Sequence, residues 1–288
     1  MSTKKVGVVG LGLMGWALAA RLAAQGQKVG GWTRSGVDAT RAQADGFEPH
    51  AALADLVAES DILILSLFDE VAVRDVLGQL GAMDLNQKLI VETSTVTPQV
   101  VRDLVNEIEA AGGRLIDAPI SGGPEMVAEG TIGLFIGGAE EDAARFQPLV
   151  EQLSNRSAYV GPLGAGAAMK IVNNVALAGA FQAASDALQL GQNMGLELGP
   201  MLSVLDKSPG TTPMFKARVA KISGEDQEVG FALIGVVKDA KVFSTAGETY
   251  GVELPWLTVL SDNASSAIEA GLGDLDAAAV IRHRLNLE

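Results

Sequence analysis

The chain opens on a short unbroken apolar run, Val6–Val9, the pattern of a parallel strand buried on both faces. Leu13–Gln25 then carries apolar residues at helical spacing and stops at Gly26, a natural helix terminator. A second strand, Lys28–Trp32, and a helix over Val37–Asp45 come next. The alternation continues as strand Ile62–Leu67, helix Val71–Leu80, strand Lys88–Glu92 and helix Pro98–Ala111. Strands at Arg114–Asp117 and Thr131–Ile136, helix Glu140–Leu153 and a last short strand, Ala158–Val160, complete the series. Strands separated by helices of this length predict right-handed crossovers and a mostly parallel sheet. Past the turn cluster Gly161-Pro162-Leu163-Gly164 only helical patterns remain, led by an Ala-rich helix over Ala167–Asn193. The expected fold class is α/β: an N-terminal sheet domain, 1–162, followed by an all-α domain, 163–288.

Composition narrows the chemistry. The 288 residues hold 34 glycines, well above the usual ~7% share, and no cysteine, so disulfides, thiolate metal sites and a Cys nucleophile are excluded. The two histidines, His50 and His283, stand far apart without neighbouring ligand residues, which argues against a His-based triad and assigns no metal. A net charge of −14 is the wrong sign for a nucleic-acid partner. Lys4 and Lys5 ahead of the run Val6–Ala20 imitate a secretory signal, but Gly7, Gly10, Gly12 and Gly15 interrupt it and a second strand follows directly. No stretch of about 20 residues lacks polar interruption, so no membrane span is expected and the location is read as cytoplasmic. Such a chain points to chemistry carried by a bound cofactor.

Gly10-Leu11-Gly12-Leu13-Met14-Gly15 is a GxGxxG placed between a strand and a helix, the setting in which this motif binds a dinucleotide and defines a Rossmann-type domain. Its first glycine serves the tight turn, its second admits a pyrophosphate and its third lets helix pack on strand. At the end of the second strand an NAD site places an acid; here Thr33, Arg34 and Ser35 follow Trp32. A guanidinium flanked by hydroxyls suits a 2′-phosphate, which favours NADP (NADPH) over NAD, while a solvated loop arginine is the plainer account. Lys170 is nearly alone in a weakly charged helix, with Asn173 and Asn174 on its own face at i+3 and i+4 and Gly166 one turn earlier to leave room. It reads either as an acid–base amine or as a lysine with a buried stem. Asp117-Ala118-Pro119-Ile120-Ser121-Gly122-Gly123 stands at a strand's carboxyl end, where Ser121, Gly122 and Gly123 offer a hydroxyl and N–H groups to a carboxylate, or form an ordinary glycine loop.

Val6–Gly15, Glu92-Thr93-Ser94-Thr95 before Pro98, Asp117–Gly123 with Gly130-Thr131, Gly164–Asn174 and Lys238-Asp239 together resemble the β-hydroxyacid dehydrogenase family, across nearly the whole chain to Gly271–Asp276. The resemblance implies hydride transfer between NADPH and a small carboxylate-bearing aldehyde- or keto-acid. It implies Lys170 as catalytic acid and base, Asn174 as its orienting partner, and Ser121, Gly122 and Gly123 as substrate-carboxylate ligands. Gly10, Gly12, Leu13, Met14, Gly15, Thr33, Arg34, Ser35, Thr95 and Lys238 are then the cofactor contacts, and a homodimer or homotetramer is expected. The chain departs from the family pattern at Phe68, at Met126 and Val127, at Asp38 and at Ala240. Phe68, Met126 and Val127 are expected to change bulk beside the reaction centre. The related imine reductases share the fold but usually place another residue at the lysine position, which leaves imine reduction as the alternative and a non-catalytic dinucleotide-binding scaffold behind it.

Overall fold

The computed structural model describes residues 5–287. The chain divides into two compact units, one ending at Lys170 and the other beginning at Ile171.

The first unit is built on β1 (Lys5–Val9), β2 (Lys28–Trp32), β3 (Glu48–Pro49), β4 (Ile62–Leu65), β5 (Leu89–Glu92), β6 (Arg114–Asp117), β7 (Ile120–Ser121), β8 (Gly133–Gly137) and β9 (Arg156–Gly161). Their order in the sheet is β3-β2-β1-β4-β5-β6-β8-β7, with β9 paired to β8. Pairings from β3 through to β6 are parallel, and β8 runs antiparallel to β6 and β7. β4 shows why its run is continuously apolar. Ile62 and Ile64 enter a core on one face with Val6, Val8 and Leu18, while Leu63 and Leu65 enter the core on the other with Val9 and Leu77. Helices α1 (Leu13–Ala24), α2 (Ala39–Ala44), α3 (Leu53–Glu59), α4 (Glu70–Gly81), α5 (Pro98–Ala110), α6 (Pro124–Glu129) and α7 (Glu140–Leu153) connect the strands.

The predicted α/β class and the helical C-terminal part are observed. Four short elements were outside the expectation: β3, α3, β7 and α6. Two-residue strands carry no periodicity to read. α3 did carry a signal, since Leu53, Leu56 and Val57 share one buried face at helical spacing. α2 is shorter than the predicted Val37–Asp45 because Asp38 accepts the Arg41 N–H and caps it.

α8 (Ala165–Asn193) begins in the first unit and continues into the second. There it is joined by α9 (Leu198–Lys207), α10 (Pro213–Lys216), α11 (Val219–Ser223), α12 (Leu233–Tyr250), α13 (Pro255–Ala267) and α14 (Ala279–Arg284). Asp276 ties this unit together: its carboxylate meets Arg218 at 2.9 Å and accepts the N–H groups of Gly230, Phe231 and Ala278.

Candidate active site

The loop between β1 and α1 separates two kinds of glycine. Gly10 has φ +91°, and a side chain there would run into the carbonyl of Ser66. A methyl on Gly15 would strike the carbonyl oxygen of Gly10, so both glycines are required by the packing of α1 on the sheet. Gly12 differs. It has ordinary backbone angles and, among the described residues beyond its chain neighbours, no atom within 4 Å of where its Cβ would be, so their packing does not demand its bareness. That open space lies at the N-terminus of a 12-residue helix with no acid in its first turn, a setting that accepts a pyrophosphate. Leu13 is exposed beside it and Met14 leans on the core.

Thr33, Arg34 and Ser35 leave the end of β2 in a turn closed by the Gly36 N–H on the Thr33 carbonyl at 3.0 Å. Arg34 and Ser35 are exposed and Thr33 is half-buried. Asp38 is engaged as the cap of α2, which accounts for an acid at that position without assigning it to a ribose. On the far side of the turn Arg41 stacks 4.1 Å above the Trp16 ring, whose Nε1 donates to Asp45 at 2.6 Å.

The loops after β4 and β5 are tied to one another. The Leu67 N–H donates to Ser94 Oγ, Thr93 Oγ1 to the Leu65 carbonyl and the Thr97 N–H to Glu70. Thr95 is half-buried in the loop after β5, and Phe68, in the loop after β4, is 56% exposed.

Lys170 is buried on α8, and its Nζ donates to the carbonyl of Ile120 at 2.5 Å. Folding thus brings the amine onto Ile120, 50 residues away in sequence and one residue before Ser121, Gly122 and Gly123. Ser121 ends β7, Gly122 has φ +144°, and Gly123 caps α6 ahead of Pro124. Asp117, which ends β6, accepts the N–H groups of Gly164 and Ala167, each at 2.7 Å. Burial pushes its carboxyl up to about 6, against the pull of those N–H groups and of Arg102. Gly166 does not serve to leave room beside the lysine, as the sequence suggested. A side chain there would collide with the Phe135 carbonyl and with Asp117, so its role is the close docking of α8 on the sheet.

Gly10, Thr33–Ser35, Thr95 and Ser121–Gly123 therefore all follow the carboxyl ends of strands of one sheet, where ligands of open α/β sheets bind. Asn174 lies one turn beyond Lys170 on α8 and accepts from the Asn173 amide at 3.0 Å. Lys238 lies on α12, its ammonium 2.7 Å from Asp239. Of the family departures, Val127 is fully buried in the core and adds no bulk to a site, contrary to expectation, whereas Met126 holds its sulfur against Gly122. Folding also gives His50 two acidic neighbours, Glu48 from two residues before it and Glu59 from the end of α3. Glu48 and Glu59 each bring a carboxylate oxygen within 4.8 Å of it, and Lys5 neutralises Glu59 at 3.3 Å.

Residues 5–161 match the family described as the NAD binding domain of 6-phosphogluconate dehydrogenase. Residues 164–284 match the one described as NAD-binding of NADP-dependent 3-hydroxyisobutyrate dehydrogenase. Glyoxylate/succinic semialdehyde reductase 1 of Arabidopsis thaliana is 30% identical over 289 residues, covering 96% of this chain and 97% of its own. The chain belongs to the β-hydroxyacid dehydrogenase family. The solved 3-hydroxyisobutyrate dehydrogenase of Mycobacterium tuberculosis, determined with L-serine, superposes with a TM-score of 0.86 at 26% identity over 98% of this chain and 99% of its own. An imine reductase from Pseudomonas sp. shares the fold, with a TM-score of 0.62 at 22% identity over 98% of this chain and 99% of its own. As a β-hydroxyacid dehydrogenase the protein is an NAD(P)-dependent oxidoreductase of the 3-hydroxyacid dehydrogenase and semialdehyde reductase type. Among the described residues no helix is long and apolar enough to cross a membrane.

Proposed function

We propose that this β-hydroxyacid dehydrogenase is an NADP-preferring reductase of a small aldehyde- or keto-acid, with Lys170 as its general acid. The observation that carries the reading is the buried Lys170 amine held against the carbonyl of Ile120, one residue before the Ser121-Gly122-Gly123 loop. A nicotinamide cofactor, when bound, supplies the hydride. Ser121, Gly122 and Gly123 hold the substrate carboxylate with a hydroxyl and backbone N–H groups, which orients the carbonyl toward the amine. Lys170 protonates the carbonyl oxygen during reduction and takes the alcohol proton during oxidation, and Asn174, one turn on, orients lysine and substrate. Gly12, Leu13 and Met14 receive the pyrophosphate on a loop whose shape Gly10 and Gly15 set, Thr95 and Lys238 hold the cofactor further along, and Arg34 with Thr33 and Ser35 receives the 2′-phosphate. The working form is a cytoplasmic homodimer or homotetramer.

The test is the initial rate of NADPH, and separately NADH, oxidation with glyoxylate, succinic semialdehyde, tartronate semialdehyde, methylmalonate semialdehyde and one cyclic imine. An aldehyde-acid is expected to turn over, faster with NADPH. Turnover of the imine alone would transfer the chain to imine reduction. Lys170→Ala is expected to lower kcat by roughly 10²–10⁴-fold, the usual worth of a positioned acid, with NADPH affinity within about twofold. Near-normal turnover in that variant would remove the amine from the mechanism.

A further inference from the structure

Asp117 makes a long-range helix cap. An ordinary N-cap is a residue of the helix's own first turn. α8 instead receives its cap from the end of β6: one oxygen of Asp117 accepts the Gly164 N–H and the other the Ala167 N–H, 47 and 50 residues away. The surroundings are shaped for this carboxylate. A Cβ on Gly137 would lie 2.5 Å from one oxygen and a Cβ on Gly166 2.9 Å from the other, while Gly164 has φ +87°, open to glycine at little strain. Ala167 is three residues before Lys170 on α8, on the neighbouring turn of the same face. Ile120, which accepts the Lys170 ammonium, is three residues after Asp117. A single segment, Asp117–Ile120, thus grips both the start of the helix and the amine one turn along it.

We propose that Asp117 is a positioning residue for Lys170, fixing the depth and rotation of the first turns of α8 and so the place where the amine meets its substrate. The proposal rests on the reading of Lys170 as the general acid. A carboxylate suits the task because it accepts at both oxygens. An asparagine there would turn one –NH₂ toward a backbone N–H, leaving that donor unpaired and the helix start free to shift.

The test is a double-mutant cycle on the full chain with Asp117→Asn, Lys170→Ala and the double variant, measured as NADPH-dependent reduction of the best aldehyde-acid. Asp117→Asn is expected to lower kcat by roughly 10–100-fold, the scale of a misplacement near 1 Å, with NADPH affinity and the circular-dichroism spectrum unchanged. In the Lys170→Ala background the same substitution is expected to change the residual rate less than about twofold, because its effect runs through the amine. Equal losses in both backgrounds would show a general structural role and overturn the proposal, as would an undiminished kcat in Asp117→Asn. Wild-type turnover in Lys170→Ala would show instead that the reading of the lysine had failed, and the proposal with it. Should Asp117→Asn not fold, Asp117→Ser, which keeps one acceptor and removes the buried charge, enters the same cycle with the same expectations.

Discussion

Burial raises the Asp117 carboxyl to about 6 in the folded protein, whereas the unfolded chain keeps it near 3.8. Between those values the folded state holds the proton and the unfolded state has lost it, so this residue's contribution to stability is full at low pH and declines as pH rises through 6. Relative to Asp117→Asn, the wild type is expected to lose about 1 kcal/mol of unfolding free energy between pH 5 and pH 7, measured by urea denaturation of both proteins. A difference independent of pH would mean that the carboxyl titrates normally. Arg34 poses the opposite situation, an exposed cation whose value lies in a ligand. Arg34→Ala is expected to raise KM for NADPH by roughly 10–100-fold, the worth of a charge-assisted contact, and to leave KM for NADH within about twofold. Equal shifts for the two cofactors would end the 2′-phosphate assignment.

At the scale of the element, the turn from β1 into α1 separates glycines that the packing requires from one that it does not. Gly15→Ala puts a methyl into the Gly10 carbonyl and forces α1 away from the sheet, with an expected loss of about 1–3 kcal/mol in thermal or urea unfolding. Gly12→Ala meets no atom and needs no unusual angle, so its stability is expected to stay within about 1 kcal/mol. Isothermal titration should nonetheless show NADPH affinity at least about tenfold weaker, because in the proposed site the methyl stands where the pyrophosphate approaches the backbone. Unchanged affinity in Gly12→Ala would place the phosphates elsewhere. The docking of α8 follows the same logic, since Gly166 and Gly137 let a helix start and a strand end share one carboxylate.

For the whole molecule, the scarcity of conventional catalytic side chains is informative. His283 bonds Ser266 and His50 sits between carboxylates, and the proposed function accordingly assigns acid–base work to the Lys170 amine and redox work to a bound nucleotide. A nucleotide that binds the folded chain alone must stabilise it by mass action. NADPH at 100 times its Kd is expected to raise the unfolding free energy by about 2.7 kcal/mol, read as an upward shift in Tm. The absence of any shift would deny the chain a nucleotide site.

What the sequence determined by itself is the part governed by local rules. Continuous apolar runs announced the parallel strands, helical spacing and glycine stops announced the helices, and GxGxxG between strand and helix announced the dinucleotide loop, because each depends on residues a few positions apart. Lys170 and the Ser121–Gly123 loop were visible as separate candidates. Only the tertiary structure set the amine against Ile120, sent Val127 into the core and Met126 onto Gly122, surrounded His50 with Glu48 and Glu59, and made Asp117 the cap of a distant helix. Of these, the contact of Lys170 with Ile120 and the cap that Asp117 gives to Ala167 join residues 50 positions apart, beyond any period of strand or helix. They depend on which strand lies beside which and on where a glycine lets two backbones close, and the chain acquires that information only when the sheet assembles.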